Sequence, residues 1–192
     1  FVLPCMNTGN ICLFTKDGKM HQLKVLDLPH GKFRDKGQPV DNVSNFDSAT
    51  EEIVYLCEDR QLFYTKFLFV TKQGMVKKVD GSEFQVSRRT IAATKLQPED
   101  EVVTVSILNE NQDVVLMTEL GYCLRFPASE VSEKKKGALG VRGIRLQKKD
   151  AVETAFVFEE GTECKVTFHE KEVTLNRLKQ AKRDGTGTKM RK

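Results

Sequence analysis

FVTKQGMVKKV (69–79) is the stretch from which the fold of this chain can be read. Phe-Val-Thr runs into Lys-Gln-Gly, and Met-Val-Lys-Lys-Val leaves it. Strand-favouring residues on both sides of a tight turn, with glycine where the turn needs positive φ, predict a β-hairpin. LFTKDGKMHQLK (13–24) and LMTELGYCLRF (116–126) repeat the arrangement, with Gly18 and Gly121 in the place of Gly74. KVTFHEKEVTLNRL (165–178) keeps both strands and lacks the glycine. Terminal repeats are commonly atypical in this way.

Working outward, an acidic lead-in and an apolar strand recur at TEEIVYL (50–56), EDEVVTV (99–105) and KDAVETAFV (149–157). With Ile53, Val103 and Val152 as register marks the intervals are 50 and 49 residues, and Val2 in FVLPC lies about one interval upstream. Each hairpin is followed by a basic loop and a short strand: HGKFRDKGQPVDNV, EFQVSRRTIAATKL, EVSEKKKGALGVRGIRL and LKQAKRDGTGTKM. The chain therefore reads as one domain, 1–192, of four units at approximately 1–50, 51–99, 100–149 and 150–192. Each unit holds about four strands, a repeat length that predicts blades of an all-β, propeller-like array. Residues 128–136 form the one stretch with the pattern of a helical turn. With no Trp in the sequence, the Trp-Asp signature of ordinary WD repeats is excluded.

Hydrophobic residues make up 39% and charged residues 30%, a composition that supports a packed core and argues against disorder. No apolar run approaches the ~18 residues of a membrane span. The N-terminal stretch lacks the basic start and small-residue cleavage site of a signal peptide. Cys5, Cys12, Cys57, Cys123 and Cys164 are odd in number and never form a CxxC pair, which predicts reduced thiols in a cytosolic protein. His21, His30 and His169 show no metal-ligand spacing. Nucleophile-elbow, phosphate-loop and zinc-protease motifs are missing, so catalysis, metals and cofactors are not expected. Tyr55, Tyr64 and Tyr122 sit in strand-like contexts and read as packing residues. The acidic lead-ins recur at unit boundaries, which points to architecture. Gly137, Gly140 and Gly143 have no helix after them and so read as turn residues, not as a phosphate cradle.

Charge is unevenly placed. The net value is +4, yet residues 177–192 alone carry an excess of +6. The loops repeat that chemistry: Lys32, Arg34 and Lys36 in the first; Arg88 and Arg89 in the second, with Lys77 and Lys78 of the hairpin before it. Lys134, Lys135 and Lys136 lie in the third, followed by Arg142 and Arg145. Lys182, Arg183, Lys189, Arg191 and Lys192 lie in the fourth. In a radial array equivalent positions share one rim, and cations repeated there predict a curved positive stripe suited to a bent duplex. The competing reading is a propeller-like protein-interaction scaffold whose basic loops are solvated surface.

FVTKQGMVKKVDGSEF, VLMTELGYCLRFPASEV and especially KGALGVRGIRL resemble the C-terminal domain of the A subunit of bacterial DNA gyrase and its paralogue topoisomerase IV. The resemblance covers nearly the whole chain and is weaker in the fourth unit. It implies a β-pinwheel, a disc of four-stranded blades in which neighbours exchange strands. It also implies a non-catalytic module of a bacterial, cytoplasmic, nucleoid-associated enzyme. Such a module wraps duplex DNA for a strand-passage core made of the rest of the A subunit, with the ATPase B subunit. Gyrase carries a basic box, Gln-Arg-Arg-Gly-Gly-Lys-Gly, which neither GKFRDKG (31–37) nor KRDGTG (182–187) matches. Gyrase domains usually have six blades, against about four here.

Overall fold

A computed structural model describes residues 2–190. The first hairpin is β1 (Asn10–Thr15) and β2 (Lys19–Lys24), followed by β3 (Ile53–Glu58). The second is β4 (Lys66–Thr71) and β5 (Met75–Asp80), followed by β6 (Thr90–Ala92) and β7 (Val102–Ile107). The third is β8 (Gln112–Thr118) and β9 (Tyr122–Pro127), followed by β10 (Val141–Arg142) and β11 (Val152–Glu159). The fourth is β12 (Lys165–Phe168) and β13 (Lys171–Thr174), and β14 (Thr188–Lys189) comes last.

Gly18, Gly74 and Gly121 have φ of 80°, 82° and 81°, and each amide donates back to the Thr that opens its turn. This is the left-handed corner that the three glycines predicted. The fourth hairpin turns differently. His169 and Glu170 both take positive φ, 46° and 61°, which places a two-residue turn between β12 and β13 without glycine.

The sheets are not built unit by unit. Their orders are β3-β1-β2-β6, β7-β4-β5-β10 and β11-β8-β9-β14, all antiparallel. Each hairpin takes both flanking strands from the unit after it. This dependence explains three departures from the sequence reading. The fourth sheet is a two-stranded β12-β13 hairpin, because no fifth unit follows within these residues to flank it. No strand forms at residues 2–5, since these residues include no earlier hairpin for them to pair with. The first basic loop holds a 3-10 turn, Val40–Asn42, where a short strand was expected. Helical structure in 128–136 is confined to Ala128–Glu130, one of four 3-10 turns that follow the hairpins.

The blades pack face to face, and alternation along the middle strands divides the core. Phe67 and Phe69 of β4 join Phe14, Met20 and Phe84 between the first two sheets. Leu68 and Val70 of the same strand join Leu116, Leu124 and Phe126 between the second and third. A strand buried on both faces must be apolar throughout, which is why KFLFVT does not alternate with polar residues. Phe14 and Phe84 meet edge to face at 5.3 Å, and each fully buried Phe contributes roughly 1.5–3 kcal/mol. The fourth hairpin closes on the third sheet through Phe168, Leu175, Val115 and Met117. β3 packs against β7 and β7 against β11, so these strands form the inner edge of the array. β6, β10 and β14 lie at the opposite, outer edge.

Candidate nucleic-acid interface

Each short outer strand is delivered by a basic loop and fixed by one repeated hydrogen bond. The amides of Ala93, Gly143 and Met190 donate to the carbonyls of the hairpin glycines Gly18, Gly74 and Gly121, at 2.8, 2.7 and 2.9 Å. Arg88 and Arg89, then Lys134, Lys135 and Lys136, then Lys182 and Arg183 therefore enter at equivalent places on three successive sheets. The GVRGIRL segment lies tight against β5: a Cβ at Gly140 would stand 2.8 Å from the Val76 carbonyl oxygen, and one at Gly143 2.6 Å from the Val76 side chain. Neither residue has positive φ. Close approach, rather than the turn geometry expected from sequence, is what requires glycine there.

A polar side chain on the second strand of each hairpin pins the incoming loop. Gln22 Nε2 donates to the Val86 carbonyl at 2.9 Å. Arg125 Nη1 donates to the carbonyls of Asn176 and Leu178 at 2.7 and 3.0 Å, while Asp113 takes its other nitrogens. Lys77 Nζ donates to the carbonyls of Lys135, Lys136 and Ala138 at 3.2, 2.8 and 2.7 Å.

Lys77 thus corrects the sequence reading. It is 1% exposed, it lies beneath the third loop instead of beside the second, and its three N–H donors are taken. Burial pushes its ammonium down to about 8. It braces a basic loop and presents no charge to solvent. Lys78 is similarly placed: its side chain is largely buried with Nζ 3.4 Å from Glu110, and its backbone pairs with Ser132 and Lys134. The signal was in the register, because the position of Lys77 holds His21 in the first hairpin and Leu124 in the third, all buried.

The other candidates divide into free and engaged cations. Lys32, Arg34, Lys36, Arg88, Lys134 and Lys182 are exposed. Arg89 is exposed with Asp27 4.0 Å away, and Lys189 is exposed with Nζ 5.6 Å from the Tyr122 ring. Lys135 is exposed and reaches Glu83 at 3.0 Å. Lys136 is half-buried, its amide on the Glu83 carboxylate and its Nζ on the Glu83 carbonyl. Burial works upward on the Glu83 carboxyl, but the Lys136 amide and Lys135 outweigh it and hold the group below its usual range. Arg183 braces its loop by donating to Glu130 and to the Arg142 carbonyl. Arg191 and Lys192 lie outside the described residues.

Arg142 and Arg145, both exposed, converge on Asp184, and Arg142 above all holds that carboxyl down to about 2. This acid was not among the sequence candidates, although it is the only one in the basic C-terminal stretch. Its amide also donates to Gly143, and the Arg145 amide donates to Gly185, both at 2.8 Å, which joins the third and fourth loops. Arg88 and Lys136 line one open groove of about 700 Å³, which joins the second to the third. Three basic loops therefore form one connected strip along the outer edge.

The acidic lead-ins lie at the hairpin turns. Asp100 accepts from the Gln73 amide at 2.9 Å and Asp150 from the Leu120 amide at 3.0 Å, an architectural role as the recurrence predicted. Tyr64, by contrast, is 92% exposed, its ring 6.2 Å from that of Phe63, and takes no part in the core.

Residues 65–109 and 112–159 match the family model of the DNA gyrase C-terminal domain, a β-propeller. The chain is 35% identical over 165 residues to the DNA gyrase A subunit of Lawsonia intracellularis, covering 83% of this chain and 20% of that protein. It is 32% identical over 159 residues to the DNA topoisomerase 4 A subunit of Bacillus subtilis, with shares of 81% and 20%. The crystal structure of the C-terminal domain of DNA topoisomerase IV superposes with a TM-score of 0.86 at 28% identity, over 97% of this chain and 59% of that one. The chain thus spans about a fifth of the length of its full-length relatives. A strand-exchanged propeller with glycine-cornered hairpins, matched in both sequence and shape, places this chain in the family of C-terminal domains of gyrase and topoisomerase IV A subunits, accessory domains of type IIA topoisomerases.

Proposed function

We propose that this domain binds duplex DNA along its outer edge and bends it there, presenting it to a strand-passage core formed by the rest of the A subunit, with the ATPase B subunit. One observation carries the reading: three loops with exposed cations are anchored at equivalent positions on successive sheets and joined into one strip. Contacts of this kind are to phosphates, so affinity is electrostatic and indifferent to base sequence. Bending a site of roughly 20–30 bp by 40–90° costs on the order of 1–6 kcal/mol, which several phosphate contacts spread along an arc can offset.

Electrophoretic mobility shift and fluorescence anisotropy with a labelled duplex, across a salt series, test the proposal. Log affinity should fall linearly with log salt, by about 0.9 for each phosphate contacted. Charge reversal of the exposed cations Arg88→Glu and Lys134→Glu should weaken binding at least tenfold and flatten that slope by about 2, with the thermal midpoint little changed. Affinity that ignores salt, or a duplex that is never shifted, would refute it and leave the protein-scaffold reading.

A further inference from the structure

The first basic loop carries a feature that the other three lack. Phe33 is 100% exposed, whereas Phe14, Phe67, Phe69, Phe84 and Phe126 are at most 1% exposed. It stands between Lys32 and Arg34, with Lys36 close by, and all three cations are exposed. The ring is presented on a closed turn: the Asp35 amide donates to the Lys32 carbonyl at 2.9 Å, and the Lys32 amide donates to the Asp35 carboxylate at 2.7 Å. Phe33 sits at the first corner of that turn, and the acid of the turn, Asp35, is engaged with the turn's own backbone.

We propose that Phe33 is a wedge that stacks into a base step of the bound duplex while Lys32, Arg34 and Lys36 hold the flanking phosphates. The inference rests on the DNA-binding reading above and adds to it a point of base contact. The occupant is argued from complementarity. A fully exposed aromatic ring, flanked in the chain by Lys32 and Arg34 with Lys36 three residues on, suits a partner that offers flat aromatic surfaces beside regularly spaced negative charge, and a nucleic-acid duplex offers both. An apolar side chain inserted into a step partly unstacks it and kinks the helix, which would begin the curvature that the outer edge continues. The first loop leaves its hairpin through a 3-10 turn, Val25–Asp27, as the other basic loops leave theirs, so the wedge stands at the start of the same series.

The protein has no tryptophan, so Phe33→Trp installs a single indole reporter at the proposed contact. Duplex DNA should quench its emission in parallel with binding followed by anisotropy of the labelled duplex. Phe33→Ala, which removes no packed side chain, should bind about tenfold more weakly, in the range of one lost base–aromatic stack. It should bend an end-labelled duplex less by energy transfer and keep the wild-type salt slope, because the phosphate contacts remain. Unquenched indole on bound duplex, or wild-type affinity and bend from Phe33→Ala, overturns the wedge and leaves the electrostatic reading standing. Quenching by anionic lipid vesicles but not by duplex also overturns it. If the wild-type domain binds no duplex, the wedge falls together with the function it rests on.

Discussion

The first and third basic loops are close in composition and differ in what holds them. GKFRDKG and EKKKGALG are both basic and hold two glycines each. The third is pinned from beneath by Lys77, paired with Lys78, tied to Glu83 and ended by a strand on β5. In the first, residues 30–39 are exposed throughout and the turn is closed by bonds between its own residues, Lys32 and Asp35. Charge in the sequence marks both loops. A preceding hairpin decides which of them is held in place, because a loop is fixed by the unit before its own. The third loop is thus a built part of the outer edge, and the first is a presented turn.

That contrast can be broken from the third-loop side. Lys77→Met leaves the carbonyls of Lys136 and Ala138 without this donor and leaves that of Lys135 only the Ala138 amide, which should destabilise the domain by about 2–4 kcal/mol and lower its thermal midpoint. Amide exchange in 134–139 should rise toward that of 31–37, turning the pinned loop into one like the first. Unchanged exchange there would show that Lys77 is not the pin. A smaller effect follows from tightening the contact between β10 and β5. Gly140→Ala puts a methyl 2.8 Å from a backbone oxygen that cannot give way, and should cost roughly 1–3 kcal/mol by chemical denaturation.

The smallest effect sharpens the comparison electrostatically. The Asp184 carboxyl lies at about 2 against an ordinary 3.8, so its contribution to stability is present above the ordinary value and is lost as pH falls toward 2. Wild type and Asp184→Asn should therefore differ slightly in thermal midpoint at pH 5 and converge near pH 2, with the difference shrinking in salt. The same substitution frees Arg142 and Arg145 and should tighten duplex binding a few-fold in the anisotropy assay. Weaker binding would mean that Asp184 positions these arginines instead of competing for them.

The hairpins were legible because a glycine at a fixed offset from a threonine has one good structural use. The acidic lead-ins were legible because they recur. Strand partnership was legible only through the family resemblance, which implies that neighbours exchange strands, since a short apolar strand at the end of one unit carries no mark of its own of which hairpin it joins. Sheets assembled across unit boundaries therefore surprised at both ends of the chain: residues 2–5 made no strand and β12-β13 stayed a pair. The fourth turn escaped because His169 and Glu170 adopt positive φ that their residue types do not announce. Among the cations, Lys77 read as a surface charge because lysine is mostly exposed, although adjacent lysines on a strand face opposite ways and both faces of β5 are covered.

Ligation of a nicked circular plasmid in the presence of the domain, followed by separation of the topoisomers, tests the central claim most directly. DNA curled over the outer edge should leave closed circles whose mean linking number shifts in proportion to the domain added, and the shift should shrink when Arg88 and Lys134 are reversed. A linking-number distribution that stays in place at saturating domain would contradict the account.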